Sequence, residues 1–228
     1  MNVDFFSSDT ELSRTCFVEA SKRFAAHCWR HHVMDEDKDD QVDLKNSIII
    51  SFLNPYIFPA EVLEEAIAAY NIHPAPPAYP GRDPQHFSIY DGYLSAGATL
   101  HRMDASVDSG EILDVLERPL QPDDGPIEHD QLSRQLSKEI FERNLEEILD
   151  NTIAPRRKWN WSTQNKHRRS DFIRMSYITT DLSDSEIERR IRAFHVPGYR
   201  NKVHVKVGDR YFIYDPEFDA RMRKKKKI

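Results

Sequence analysis

Seven consecutive residues, Ser47-Ile48-Ile49-Ile50-Ser51-Phe52-Leu53, carry no charge and only two small hydroxyls. A strand with one face in water alternates apolar and polar residues. A continuous apolar run marks a strand buried on both faces, as in a parallel sheet covered by crossover helices. The next twenty residues agree with that reading. Pro59 suits the first position of a helix, and Val62, Leu63, Ala66 and Ala69 recur at helical spacing. A second strand then ends at Asn71-Ile72-His73-Pro74. Strand, helix, strand and loop form the βαβ unit of open α/β sheets, which bind ligands beyond the C-terminal strand ends.

That strand end is unusual. Successive side chains of a strand alternate faces, so Asn71 and His73 point the same way. Pro74, Pro76, Pro77 and Pro80 then forbid helix and hold the pair at a stiff corner. About thirty residues on, a second strand runs through His101-Arg102-Met103 into an acid-bearing loop, Asp104-Ala105-Ser106-Val107-Asp108-Ser109-Gly110-Glu111-Ile112. An amide, an imidazole and a carboxylate thus stand at neighbouring strand ends. No Gly-x-Ser-x-Gly motif of a covalent nucleophile is present.

The combination resembles the formyltransferase family that uses 10-formyltetrahydrofolate, which includes the glycinamide ribonucleotide, methionyl-tRNA and nucleotide-amino-sugar formyltransferases. That family shows Asn-x-His-Pro before a Pro/Gly loop, then a strand ending in Val-Asp-Ser/Thr-Gly-x-Ile. Both are here, at Asn71 to Pro74 and at Val107 to Ile112. Ser51 to Pro59 looks like the family's folate-pocket loop. The resemblance is specific from about 44 to 119. Further along, Arg190 to Tyr199 resembles the segment after the catalytic core of the amino-sugar and methionyl-tRNA enzymes, with no room after it for the barrel domain of the latter.

The resemblance implies a Rossmann-like, mainly parallel sheet flanked by helices, with a small C-terminal helix and β-hairpin. It implies 10-formyltetrahydrofolate as formyl donor, no metal, and a primary amine as acceptor, foremost that of a nucleotide-linked amino sugar. Another small amine, or folate binding without turnover, are the competing readings. Formyl transfer needs an oxyanion donor, a proton carrier and a group to orient that carrier, and Asn71, His73 and Asp108 match these roles in that order. Asp104 is the rival carboxylate. The Ser109-Gly110 that follows Asp108 fits the family pattern. The folate pocket falls on Phe52, Leu53, Asn54, Pro55, Tyr56, Ile57 and Phe58 and on the loop Asp104, Ala105, Ser106 and Val107. Tyr56 and Phe58 could equally be plain core. Pro74, Tyr79, Gly81 and Arg82 are the substrate-side candidates.

Outside that region the residues speak for themselves. Val3 to Ser7 is a strand, and Ser8-Asp9-Thr10-Glu11 a capping box that opens a helix with Leu12, Cys16, Phe17, Ala20 and Phe24 on one face. The loop between them lacks glycine, and its acids would repel a phosphate. His27 to Met34 is a second strand whose histidines lack paired metal-ligand spacing. The run 35–40 is a solvated acidic loop. Only about seventy residues precede Asn71, so one crossover helix of the family is expected to be missing. A long helix is expected from Ile127 to Asp150. The stretch Arg156 to Arg169 interleaves basic residues with Trp159 and Trp161 and suits either phosphate and nucleobase contacts or an exposed connector. A helix from Ser183 through Phe194 and a hairpin about Gly208-Asp209 complete the chain.

The expected organisation is a catalytic core over 1–155, an extension over 156–218 that helps hold the acceptor or a second subunit, and a disordered basic tail over 219–228. Six of the 32 basic residues lie in the last eight positions, which leaves 26 basic residues against 38 acidic ones in the body. Such a body argues against nucleic acid as a partner. Two cysteines make no disulfide framework, and no leader or membrane span is visible. The expected setting is a reducing cytoplasm, with a homodimer possible.

Overall fold

The computed structural model describes residues 1–34, 43–198 and 202–225. The acidic run 35–40 and Tyr199, both assigned from the sequence pattern, lie outside the described residues. A six-stranded sheet dominates, with strands β1 (Asn2–Ser7), β2 (Cys28–Val33), β3 (Ser47–Phe52), β4 (Ala68–His73), β5 (Ser95–Arg102) and β6 (Ile112–Pro119). Their order is β2-β1-β3-β4-β5-β6. The first four run parallel, and β5 is antiparallel to both β4 and β6. The expected mainly parallel sheet is thus present, and β3 is buried at all six positions, as its apolar run requires.

Helix α1 (Glu11–Arg23) crosses from β1 to β2. Its N-cap is Thr10, whose hydroxyl accepts from Ser13 N at 3.1 Å, so the cap falls two residues later than the sequence motif placed it. Between β2 and β3 no helix occurs among the described residues. Helix α2 (Ala60–Glu65) is shorter than its apolar spacing suggests. Pro59 is its N-cap rather than its first residue, and Ala69 already belongs to β4.

The two sheet faces are packed differently. Val3, Phe5, Ile48, Ile50, Phe52, Tyr70, Ile72, Ala98 and Leu100 meet α1 and the long helix α4 (Pro126–Leu149) through Cys16, Ala20, Leu136, Ile140, Phe141 and Leu145. The opposite face carries Phe6, Ile49 and Phe58 under Tyr56, Val62 and Leu63. Period-two alternation puts Asn71 and His73 on this second face, away from α4.

Helix α3 (Pro84–Asp91) leads into β5. After α4 come α5 (Arg169–Met175), α6 (Asp184–Phe194), the hairpin β7 (His204–Val207) and β8 (Arg210–Ile213), and α7 (Pro216–Lys225). Phe172, Ala193, Phe194 and Val203 share one apolar cluster with Ala75, Tyr79, Phe87 and Ala96, so the segment after 156 is built into the same core. The disordered tail expected at 219–228 is corrected over Asp219–Lys225, which are helical. Pro216 opens α7, Glu217 and Asp219 occupy its first turn and the basic residues fall toward its C-terminus, an order that complements the helix dipole. Arg223 pairs with Glu188 at 2.9 Å, and the Tyr214 hydroxyl donates to Asp219 at 3.2 Å. No helix of the described residues is long and apolar enough to cross a membrane.

Asp114 ties β6 to α4. Buried in the sheet, it pairs with Arg143 and accepts from Asn144 Nδ2 at 2.8 Å. Asn144 Oδ1 in turn accepts from Arg156 at 2.9 Å, and Arg156 N donates to Leu113 O at 2.8 Å. Hydrogen bonds to charged groups contribute about 1.5–3 kcal/mol each. Because water can resolvate the half-exposed Arg143, Asp114→Ala should cost about 2–3 kcal/mol in urea unfolding, against under about 0.5 kcal/mol for an exposed change such as Glu188→Ala.

Candidate active site

The C-terminal ends of β3 and β4 and the loop after β5 open onto one cavity of about 880 Å³, within the range of small-molecule and cofactor sites. It is lined by Leu53 to Phe58, by Asn71, His73 and Pro74, by Gly81 and Arg82, and by His101 and Met103 to Asp108. Asn71, His73 and Asp108 are therefore brought together. So are the loop residues Leu53, Asn54, Pro55, Tyr56, Ile57 and Phe58, and Asp104, Ala105, Ser106 and Val107. Two candidates are not there. Phe52 is fully buried and packs between Phe5 and Phe141, with ring centroids 5.7 and 5.6 Å away. As the last residue of β3 it alternates to the α4 face. Tyr79 is also core: its ring lies against Tyr93, and its hydroxyl donates to Asp91 at 3.1 Å. Burial and the Asp91 carboxylate push its phenol well above the usual tyrosine range, so it stays protonated.

Asp108 is the centre of the polar cluster. Its Oδ2 accepts from Gly81 N at 2.7 Å and lies 3.4 Å from His73 Nδ1. Its Oδ1 lies 3.4 Å from both His101 Nε2 and Asn71 Nδ2. Burial alone would raise its pKa. The charge of His73, the hydrogen bond and charge of His101 and the Gly81 amide outweigh that, and hold the carboxyl well below the usual carboxylate range.

The histidines are placed by backbone. His73 Nε2 donates to Tyr79 O at 2.9 Å, so each of its ring nitrogens faces an oxygen. His101 Nδ1 faces Arg102 O at 2.7 Å, and its Nε2 stands 3.0 Å from Asn71 Nδ2 and 3.4 Å from Asp108 Oδ1, between the amide and the carboxylate. Sequence reasoning missed His101. Its signal is register: Asn71 pairs directly with His101 across the antiparallel β4–β5 ladder. It also missed Trp161, whose ring stands edge-on to His101 at 5.0 Å and to His73 at 5.9 Å.

The loops are held in demanding geometry. Leu53, Asp83 and Asp108 line the cavity with φ of 49°, 55° and 46°, in the left-handed region. Asp104, the rival carboxylate, builds its own loop: Oδ1 accepts from Ser106 N at 2.9 Å and from the Ser109 hydroxyl at 2.5 Å. A Cβ on Gly110 would lie 1.9 Å from Arg102 O, so only glycine lets this loop return against β5. The far wall is basic, with Arg82, Arg134, Lys166, His167, Arg168 and Arg169 among its lining residues beside Asp83 and Asp130. The end of the stretch, Lys166 to Arg169, thus faces the cavity, while its start at Arg156 to Lys158 is exposed.

Comparisons with known proteins bear on the family and the fold. A family model described as "Formyl transferase" matches residues 16–145, more than half of the chain. The chain belongs to the formyl transferase family. A methionyl-tRNA formyltransferase from Chlamydia abortus is 38% identical over 86 residues, which cover 37% of this chain but only 27% of that protein. Among solved structures, a sugar N-formyltransferase from a Shewanella species superimposes with a TM-score of 0.77 at 18% identity, over 94% of this chain and 96% of that one. The N-formyltransferase of Helicobacter canadensis, solved with folinic acid and dTDP-3-aminofucose, gives a TM-score of 0.65 at 18% identity, over 91% and 84%. These two likenesses show the fold.

The geometry of the Asp108 loop sets two expected outcomes. Gly110→Ala should displace the loop and cost about 2 kcal/mol or more in stability, measured by thermal unfolding, because the clash is with backbone. Asp108 has a lowered folded pKa against an unfolded value of about 3.9. Its stabilisation is therefore present above about pH 4 and lost as pH falls through the folded value. Asp108→Asn should flatten the loss of stability that the wild type shows below about pH 5.

Proposed function

We propose that this protein transfers a formyl group from 10-formyltetrahydrofolate to a primary amine, that of a nucleotide-linked amino sugar. The observation that carries the reading is the meeting of Asn71, His73 and Asp108 at one strand-end cavity, in a chain of this family. The residues present fit a folate. The loop Leu53–Phe58 offers an apolar wall, and the loop 104–107 offers backbone donors and acceptors of the kind a pterin edge pairs with. When bound, the folate supplies the formyl carbonyl that the amine attacks.

The chain supplies three things. The Asn71 amide donates to the oxygen on which negative charge develops. His73, its Nε2–H held by Tyr79 O, takes on Nδ1 the proton that the attacking amine must lose, and the Asp108 carboxylate, kept ionised by its lowered pKa and 3.4 Å from Nδ1, stabilises the imidazolium. The acceptor reading draws on the basic wall, which suits nucleotide phosphates. It draws also on the dTDP-sugar seen in the Helicobacter enzyme.

The test is to supply 10-formyltetrahydrofolate with a panel of nucleotide amino sugars and follow tetrahydrofolate release. Asn71→Ala, His73→Ala and Asp108→Ala should each lower turnover about 10²–10³-fold with folate affinity little changed. Asp104→Ala should be milder, since its carboxylate serves the loop. Near-normal turnover in His73→Ala would sink the assignment and favour a folate-binding protein without turnover. Arg168→Ala with Arg169→Ala should raise the acceptor KM about tenfold or more while leaving folate affinity in place.

We also infer a homodimer through the β7–β8 hairpin. A lone two-stranded ribbon is marginal in water, yet this one leaves Val207, Tyr211, Phe212 and Ile213 more than half exposed. A second copy of the same hairpin would cover such a patch by twofold pairing. Light scattering should give a dimer for the wild type and a folded monomer for Tyr211→Lys/Ile213→Lys. A wild-type monomer would overturn the inference.

A further inference from the structure

The chain between α4 and α5 runs as a strap across the site. Ser162 N donates to Pro77 O at 2.9 Å and Arg82 N donates to His167 O at 2.9 Å, tying the strap to the loop after β4. Lys166 donates to Val107 O, and Trp161 Nε1 donates to Gly110 O at 2.8 Å, tying it to the loop after β5. Gly81 lies so close that a Cβ there would stand 2.6 Å from His167 O. The His167 ring stacks on Phe87 with centroids 3.6 Å apart. The strap is therefore clamped to both loops that carry the polar cluster.

Trp161 is the strap residue that reaches the cluster. Its indole touches the rings of both His73 and His101, and those two line the cavity while Trp161 does not. It thus covers the side of the histidine pair turned away from the cavity. Both imidazoles are almost fully buried, at 5% and 2% exposure, although they sit at a strand end. The one polar atom of the indole is spent on Gly110 O, so the surface it turns to the histidines is apolar.

This matters for a formyl carbonyl, because water competes with the amine for it. If water attacks, its oxygen bonds to the formyl carbon, the bond from that carbon to the folate nitrogen breaks, the nitrogen takes a proton and formate leaves. A base beside the carbonyl serves water as readily as it serves an amine. Only exclusion of water favours transfer. We infer that Trp161 is a positioning residue that seals the back of the His73–His101 pair and so suppresses hydrolysis of the formyl donor. The inference rests on the formyl-transfer reading and adds to it a determinant of which nucleophile is used.

The experiment compares Trp161→Ala, Trp161→Phe and Trp159→Ala with the wild type. Trp159 belongs to the same strap but stacks on Arg157, 3.7 Å from its ring, instead of on the histidines. Two quantities are measured. One is the ratio of formylated amine to formate when 10-formyltetrahydrofolate is consumed. The other, read without any folate, is the rate at which diethyl pyrocarbonate modifies His73 and His101, followed by peptide mass. In Trp161→Ala the ratio should fall and the modification rate rise, each about tenfold, as water gains access. Trp161→Phe, which keeps an apolar ring at the contact, should recover most of both, and Trp159→Ala should resemble the wild type. Should Trp161→Ala not fold, Trp161→Leu replaces it, with the same direction expected. An unchanged ratio and unchanged modification in folded Trp161 variants overturn the inference and leave formyl transfer standing. Equal effects from Trp159→Ala overturn it too, because they would trace to the strap's stability. A wild-type protein that formylates no amine overturns both readings.

Discussion

The site depends on one buried carboxylate that must stay charged. Asp108 is removed from water, and burial opposes its ionisation. Everything around it offsets that penalty: two imidazoles, an asparagine amide and the Gly81 backbone amide approach its two oxygens from β4, from β5 and from the loop after β4. A group that draws so many partners fixes the relative position of those elements. It is also why the loop after β4 must turn at Gly81, where φ is +90°, so that the amide faces the carboxylate.

The antiparallel strand is the device that makes this possible. In a wholly parallel sheet each strand would deliver one set of C-terminal side chains to the edge. Here β5 runs against β4, so His101 pairs directly with Asn71 and the chain leaves β5 for the Asp108 loop that lines the same cavity. The strap closes the arrangement from outside. Its start is anchored through Arg156 to the Asp114–Asn144 contacts that fasten β6 to α4, so the sheet's packing and the cover of the site share residues.

Much of this was legible in the sequence where the determining interactions are local. The apolar run at Ser47 to Leu53, the prolines after His73 and the Asp108-Ser109-Gly110 turn each encode their geometry within a few residues. What depended on pairing or distance was not. His101 becomes a site residue only through the β4–β5 register, and Trp161 lies sixty residues beyond it in the chain. Phe52 and Tyr79 flank site residues in sequence, yet alternation and the second apolar cluster turn them into the core. The basic C-terminus reads as a tail by charge alone, whereas Pro216 and the acids Glu217 and Asp219 allow α7 to form.

The left-handed backbone at Leu53, Asp83 and Asp108 has an evolutionary consequence. Side chains in that conformation cost on the order of 1 kcal/mol each relative to glycine, so the cavity rim is held in place by the stability of the rest of the molecule. Glycine at Leu53 would relax the backbone while removing a wall of the cavity. Selection for a hardier protein and selection for a well-shaped site therefore pull these three positions in opposite directions, and variants bred for heat resistance alone should lose the rim before they lose the sheet.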